Sequence, residues 1–354
     1  MTSSLLRPRP PQLFCRGFRL LAAMSVVGQA GSAWPADSSD TDFAGCWALT
    51  TPEGGAGWLE IKPQDGWLDG SILWRWGSVV PLASVVLDGD RLTVTRVHEV
   101  PRKDAAGQTV RTQYLTEVIT ARCTGDDLVL SRTVPREDGR GFERADFTGR
   151  RIPALPPAPD LSRVKFGDPI GLFDGHDLAG WRVLEPKARN CWSVRDGVLV
   201  NEPPDKEHAE GQPAVSTANL RTTAEFEDFN LRLEVNVPKG SNSGVYLRGI
   251  YEVQIMDSYG QPLDSHKMGA LYSRIAPTVA AEKPAGEWQS LDITLVQRHV
   301  TVVLNGTTII ANQPLAGCTG GALWSDEFRP GPIYLQGDHG AVSYRNIILR
   351  PVQP

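Results

Sequence analysis

From about residue 42 almost to its end, the chain alternates apolar and polar positions over short runs broken by turn signals. Residues 58–61, 71–76, 91–97, 114–120 and 128–132 alternate or cluster β-formers, and Asp88-Gly89 marks a hairpin. This predicts a small antiparallel barrel or sandwich over residues 38–151. In the second half, residues 192–200 form a hairpin turning at Asp196-Gly197. Residues 230–237 send Leu231, Leu233, Val235 and Val237 to one side and Arg232, Glu234 and Asn236 to the other. Runs at 244–248 and 251–256 read as strands joined at Gly249 and Ile250. Strands at 290–296, 300–304 with 307–310 around Asn305-Gly306, 333–336 and 342–349 follow. The irregular stretch 261–277 suits a loop over one sheet face. Helical periodicity is nearly absent, so the chain is read as all-β, with an antiparallel two-sheet sandwich over residues 166–354.

Composition refines this picture in three places. At 354 residues the chain is long for one sandwich, and the Pro-rich run at 152–165 supplies a stiff boundary between two domains. A net charge of −5 without a basic stripe argues against nucleic acid as a partner. Arg7, Arg9, Arg16 and Arg19 precede an apolar run at 20–27 and the small residues Gly31-Ser32-Ala33, so residues 1–33 read as an export signal. That run is too short to span a bilayer, and the expected location is periplasmic or secreted. Cys46 with Cys123, and Cys191 with Cys318, could then bridge within their own halves, although spacing proves neither pair.

Candidate chemistry gathers on residues 242–260. On the two central strands Tyr246 and Arg248 share one face, and Glu252 and Gln254 share one face of the next run. An aromatic ring, a bidentate cation, a carboxylate and an amide suit a sugar site. The structural alternative is a solvated face carrying a cross-strand Arg248–Glu252 pair. Trp67, Trp74 and Trp76 could form a second sugar platform, but core packing is the favoured reading for tryptophans in so small a β-domain. His98 and Glu99 are read as surface residues. Phosphate loops, HExxH and nucleophile elbows are missing from the sequence, which disfavours nucleotide, zinc-protease and serine-hydrolase chemistry.

The pieces LFDGHDLAGW, WSVRDGVLV, EFEDFNLRLEVNV, NSGVYLRGIYEVQIMDSYG, GALYSRIAP, GEWQSLDITL, VTVVLNGTTII and PGPIYLQGDHGAVSYRNIILRP occur in order across residues 166–354. With them the second half resembles the 3-keto-disaccharide hydrolases, a family with a concanavalin-like jelly roll. The resemblance does not reach the first half. It implies action on glycosides whose C3 hydroxyl has been oxidised to a ketone by a partner sugar 3-oxidoreductase. It also implies a base near C2, a stabiliser at the C3 oxygen and an acid near the leaving oxygen.

On that basis Glu252 is the expected base, His339 the acid or base from an opposing strand, and Arg248 the C3-oxygen stabiliser. Asp338 would orient or ligate, Gln254 and Gln336 would hold hydroxyls, and Tyr246 would supply the ring platform. Asp257 is weighed equally as a turn residue, and Lys267 is a further candidate for the enolate. The 337–340 run could also be a plain turn. The sequence identifies no certain cofactor; a divalent ion held by Glu252, Asp338 and His339 fits the ligand types, though no spacing demands it. A noncatalytic carbohydrate-binding module on the same sandwich is the alternative function, and an adhesion or scaffold role a third.

Overall fold

Period-two alternation becomes strand almost wherever it occurs. The computed structural model describes residues 42–204 and 216–353; the export-signal expectation for residues 1–33 lies outside them. Among the described residues no helix is long and apolar enough to cross a membrane.

The first half is a single antiparallel sheet of nine strands: β1 (Gly45–Thr50), β2 (Ala56–Gln64), β3 (Trp67–Trp74), β4 (Val80–Pro81), β5 (Ser84–Asp88), β6 (Arg91–Lys103), β7 (Thr109–Thr124), β8 (Asp127–Pro135) and β9 (Phe142–Ile152). Their order across the sheet is β4-β3-β2-β1-β9-β8-β7-β6-β5. Strands β4 and β5 follow each other in the chain yet lie on opposite edges. Between them Leu82 N–H donates to Gly70 O of β3, and Ala83 N–H donates to Thr95 O of β6. One kinked segment thus joins the two edges, and the sheet closes into a barrel with no long open edge. Trp47, Leu49, Leu59, Ile61, Ile72, Leu92 and Ile119 fill it.

The second half holds β10 (Ile170–Gly171), β11 (Trp181–Val183), β12 (Trp192–Arg195), β13 (Val198–Asn201), β14 (Leu220–Thr222), β15 (Phe229–Asn236), β16 (Asn242–Leu247), β17 (Tyr251–Met256), β18 (Trp288–Val296), β19 (His299–Leu304), β20 (Thr307–Pro314), β21 (Tyr334–Leu335) and β22 (Val342–Pro351). The larger sheet runs β12-β13-β22-β15-β18-β19-β20 with β10 beside β22, and the smaller runs β11-β14-β21-β16-β17. Leu231, Leu233 and Val235 of β15 and Ile293 of β18 belong to the same apolar cluster as Val245, Leu247, Val253 and Ile255 of β16 and β17. Each such buried aliphatic side chain stabilises the fold by about 1.5–3 kcal/mol relative to exposure. This is the antiparallel two-sheet sandwich that the alternation predicted and the jelly roll that the family resemblance implied. Asn305 and Gly306, both at positive φ (51° and 80°), make the β19–β20 turn as read from the sequence.

The two halves share apolar surface. Trp58 and Leu73 are cross-strand partners whose side chains point out of the barrel, and with Ala56 and Ile152 they join the sandwich's apolar cluster. The Arg274 guanidinium lies 4.1 Å from the Trp58 ring centroid. The Pro-rich run is tied down as well: Arg298 donates to Pro153 O and Ala154 O, and Asn312 donates to Pro159 O.

Three expectations are corrected. The four cysteines at 46, 123, 191 and 318 are free thiols. Cys318 is buried against Gly57 O of the barrel, and Cys46 lies beside Glu60. Burial pushes both of these thiols up to about 12, which makes them unreactive. Of the tryptophan trio, only Trp74 packs inward, edge-on to Phe147. Trp67 and Trp76 are 59% and 69% exposed; Trp67 opens β3, and Trp76 lies two residues past its end. His98, finally, has a partner: its Nε2 meets the fully buried Glu117 carboxylate, which Arg96 and Arg132 also hold.

Candidate functional site

The outer face of the smaller sheet is where polar groups converge. In the β16–β17 register Tyr246 opposes Glu252 and Gly244 opposes Gln254, so these side chains share one face while Val245 and Val253 take the other. Strand β21 extends that face, because Tyr334 pairs with Tyr246 and Gln336 N–H donates to Gly244 O. A cavity of about 570 Å³ opens over this surface, lined by Tyr246, Glu252, Gln254, Tyr334, Gln336, Asp338 and His339. Its volume matches ordinary small-molecule sites.

Glu252 lies at the centre of this chemistry. It is buried, and Tyr246 Oη donates to its Oε2 at 2.7 Å. Its other oxygen projects over Gly244, where a Cβ would sit 2.5 Å from Oε1, so only glycine leaves room for the carboxylate. Burial pushes the Glu252 carboxyl up to about 7, and the Tyr246 hydrogen bond and the charge of His339 only partly oppose this. A carboxyl with that affinity exchanges protons near neutral pH. Tyr246 and Tyr334 stack at 4.2 Å between centroids, and burial holds both phenols well above their usual range.

At the rim Asp338 Oδ1 accepts from His339 Nδ1 at 2.7 Å, with both side chains about two-fifths exposed. What burial Asp338 has raises it, but the His339 hydrogen bond and charge outweigh that and hold it below the usual carboxylate range. An ionised Asp338 keeps the proton on Nδ1 and leaves Nε2 as the exchanging nitrogen. Gln336 is buried, and its Oε1 has no hydrogen-bond partner among the described residues. A buried acceptor in a cavity wall is a cost that a ligand hydroxyl removes.

The other expected site residues lie elsewhere. Arg248 does not reach the cavity. Strand β16 ends at Leu247, and Arg248 (φ 55°) and Gly249 (φ 69°) form the turn, so the alternation that would have placed Arg248 beside Tyr246 stops one residue short. Its guanidinium is buried against Glu327 O and Arg329 O, and no Arg248–Glu252 pair forms among the described residues. Lys267 lines a separate cavity of about 240 Å³ and donates to Gln261 Oε1. Asp257 accepts from Gly240 N–H at 2.8 Å and so serves a turn. Among the described residues no three His, Cys, Asp or Glu side chains are grouped as a metal site, so Glu252, Asp338 and His339 do not form the ligand set considered for them.

Sequence reasoning missed several wall residues. Glu185 holds Asn219 through both carboxylate oxygens, and Asn219 Oδ1 in turn accepts from Gly337 N–H, next to Asp338. Asn242, Tyr272 and the 320–323 segment complete the sandwich side, and Trp76 with Gly77 enters from the barrel. The Gly320-Gly321 pair was the one visible signal, since adjacent glycines mark a close approach.

Residues 168–350, just over half of the chain, match the model of the 3-keto-alpha-glucoside-1,2-lyase-like domain. A 3-keto-disaccharide hydrolase of Bacteroides thetaiotaomicron is 26% identical over 169 residues, 40% of this chain and 57% of the relative's length. A crystal structure from Parabacteroides distasonis, provisionally assigned as a glycosyl hydrolase, is 28% identical and covers 56% of this chain and 94% of that one at a TM-score of 0.41. Carbohydrate-binding module CBM66 from Bacillus subtilis is 11% identical, covering 48% of this chain and 93% of the module at a TM-score of 0.28. The sandwich, its polar face and the match across residues 168–350 lead to one statement: the chain belongs to the 3-keto-alpha-glucoside-1,2-lyase-like domain family.

Proposed function

We propose that the protein cleaves 3-keto-glycosides, 3-keto-disaccharides among them, by elimination across C1–C2 followed by hydration. The observation that carries this reading is Glu252: a buried carboxyl with a pKa of about 7 on the floor of a sugar-sized cavity. A C3 ketone acidifies the C2 proton. Glu252, ionised, takes that proton, and the C2–H electron pair moves into an enolate on the C3 oxygen. Collapse of the enolate restores the ketone, forms the C1–C2 double bond and expels the C1 oxygen with its aglycone. His339, oriented by Asp338, supplies the proton to that oxygen. Water then adds hydroxyl at C1 and hydrogen at C2, and the sum is hydrolysis without net redox change. With Arg248 tied to backbone carbonyls, the C3 oxygen is left to neutral amide donors, for which Gln254 and Gln336 stand on the same wall.

This route differs from the two-carboxylate oxocarbenium route of ordinary glycosidases. The test is a 3-keto-disaccharide carrying deuterium at C2, alongside its unoxidised parent. A primary isotope effect on kcat/KM with release of free sugar, and no cleavage of the parent, is expected. Cleavage of the parent at a comparable rate would remove the ketone, and with it the proposed chemistry. The substrate's C3 ketone has to be made by a sugar 3-oxidoreductase acting beforehand, and export to the periplasm or beyond is part of the same proposal.

A further inference from the structure

Family resemblance ends near residue 166, yet the cavity has a wall from the barrel. The segment that supplies it is the β3–β4 loop, residues 75–79. Trp76 N–H donates to Trp74 O across Arg75, whose φ is 68°, and Gly77 follows at φ 84°. Arg75 is a non-glycine residue in the left-handed region, an unusual conformation for a simple connection, and such strain persists only where surrounding contacts fix it.

Those contacts are on the sandwich. Gly320 lies so close under Gly77 that a Cβ there would be 2.2 Å from Gly77 O. Ser78 Oγ and His266 Nε2 are 2.8 Å apart, and Val79 N–H donates to Ser273 Oγ at 2.9 Å. His266 meets the edge of Tyr272, itself a wall residue, at 5.0 Å between centroids. The loop is therefore fixed to the sandwich at three successive residues. What it holds in place is the Trp76 indole, with the Arg75 guanidinium 4.2 Å from the ring centroid and most of the ring exposed.

We propose that Trp76 of the barrel is the leaving-group subsite of the cavity, stacking on the C–H face of the hexopyranose attached at C1 of the keto sugar. The proposal rests on the keto-glycoside reading above for the identity of the first ring only. The sandwich floor around Glu252 carries the polar groups that a reacting ring needs. An exposed indole at the barrel edge of the same cavity is apolar, flat and pre-positioned, which suits the second ring. The barrel is thus a specificity element of the enzyme.

The experiment uses the full chain with Glu252→Gln, so that keto sugars bind without turnover, and compares it with versions also carrying Trp76→Ala or Trp76→Phe. Each is titrated calorimetrically with a glucose disaccharide, methyl glucoside and the 3-keto forms of both. Trp76→Ala is expected to weaken the disaccharide form that binds by 10-fold or more, with the matching methyl glycoside within 2-fold. Trp76→Phe should restore most of the difference. Equal weakening of both, no weakening, or no disaccharide binding by the parent variant would overturn the subsite. If the selective loss is seen with unoxidised disaccharide binding as tightly as the keto form, the subsite stands and the C3-ketone reading falls.

Discussion

Two glutamates on either side of the β16–β17 hairpin have nearly the same surroundings but differ in what their oxygens meet. Glu252 and Glu327 are both buried, and each accepts a 2.7 Å hydrogen bond from a tyrosine of that hairpin, Tyr246 and Tyr251 respectively. Glu327 also accepts from Gly317 N–H at 2.7 Å and meets Arg298 at 3.4 Å, so both of its oxygens are engaged. Glu252 receives Tyr246 on one oxygen and turns the other over Gly244, beside the cavity. Burial raises both carboxyls. Engagement is what separates them: a buried acid with both oxygens held fastens loops together, whereas one with a spare oxygen beside a cavity can take a proton from something else.

The sharpest test exchanges the two roles. Glu252→Gln should lower kcat on a 3-keto-disaccharide by about 10²–10⁴-fold while leaving a cooperative unfolding transition. Glu327→Ala should do the reverse. It strands Arg298 and Gly317 N–H in the interior, and urea unfolding should show a loss of about 3–5 kcal/mol, with kcat per folded molecule retained. A Glu327 variant that folds normally yet is inactive would dissolve the distinction.

The second contrast is in pH. Glu252 has its carboxyl near 7 in the folded chain against an ordinary 4.5 when unfolded. The folded state therefore binds the extra proton between those values, and stability falls as pH rises from 4.5 through 7, by on the order of 3 kcal/mol. Above that window the ionised carboxylate remains buried at a cost. Glu252→Gln removes this slope, so the variant should gain on the wild type between pH 5 and pH 8 in parallel denaturation curves. Activity should run the other way, with kcat/KM rising as Glu252 ionises. Equal slopes for the two proteins would mean that Glu252 is not the group titrating.

The smallest effect sharpens the local picture. The Tyr246 hydrogen bond lowers the Glu252 carboxyl against the larger effect of burial. Tyr246→Phe should therefore move the acidic limb of the pH–rate profile upward by several tenths of a unit to about one unit. At high pH the rate should be largely regained, which a purely structural lesion would not allow.

Much of this was written in the local pattern. Val245 and Val253 belong to the core, and once they are assigned inward, period two sends Tyr246, Glu252 and Gln254 outward together. The same rule misplaced Arg248, because it was extended one residue beyond the strand. Arginine is not a residue that local chemistry would put at φ 55°; only the carbonyls of Glu327 and Arg329, some eighty positions away, hold it there. Trp76 was hidden for a related reason. Tryptophan in a small β-domain is ordinarily core, and its exposure follows from β3 ending at Trp74 and from a docking surface more than 180 residues further along the chain. Glu185 and Asn219 lie in loops beside the short strands β11 and β14, whose neighbours are set by sheet order, which no window of sequence reports.

The outward-facing pair Trp58 and Leu73 ties the fate of the two halves together. Severing the chain within 152–165 would leave an oily stripe on one fragment, and on the other a notch at Gly317 shaped for the missing indole. Each piece would then be prone to stick to whatever it met first. A barrel shuffled onto another scaffold would carry its adhesive side with it.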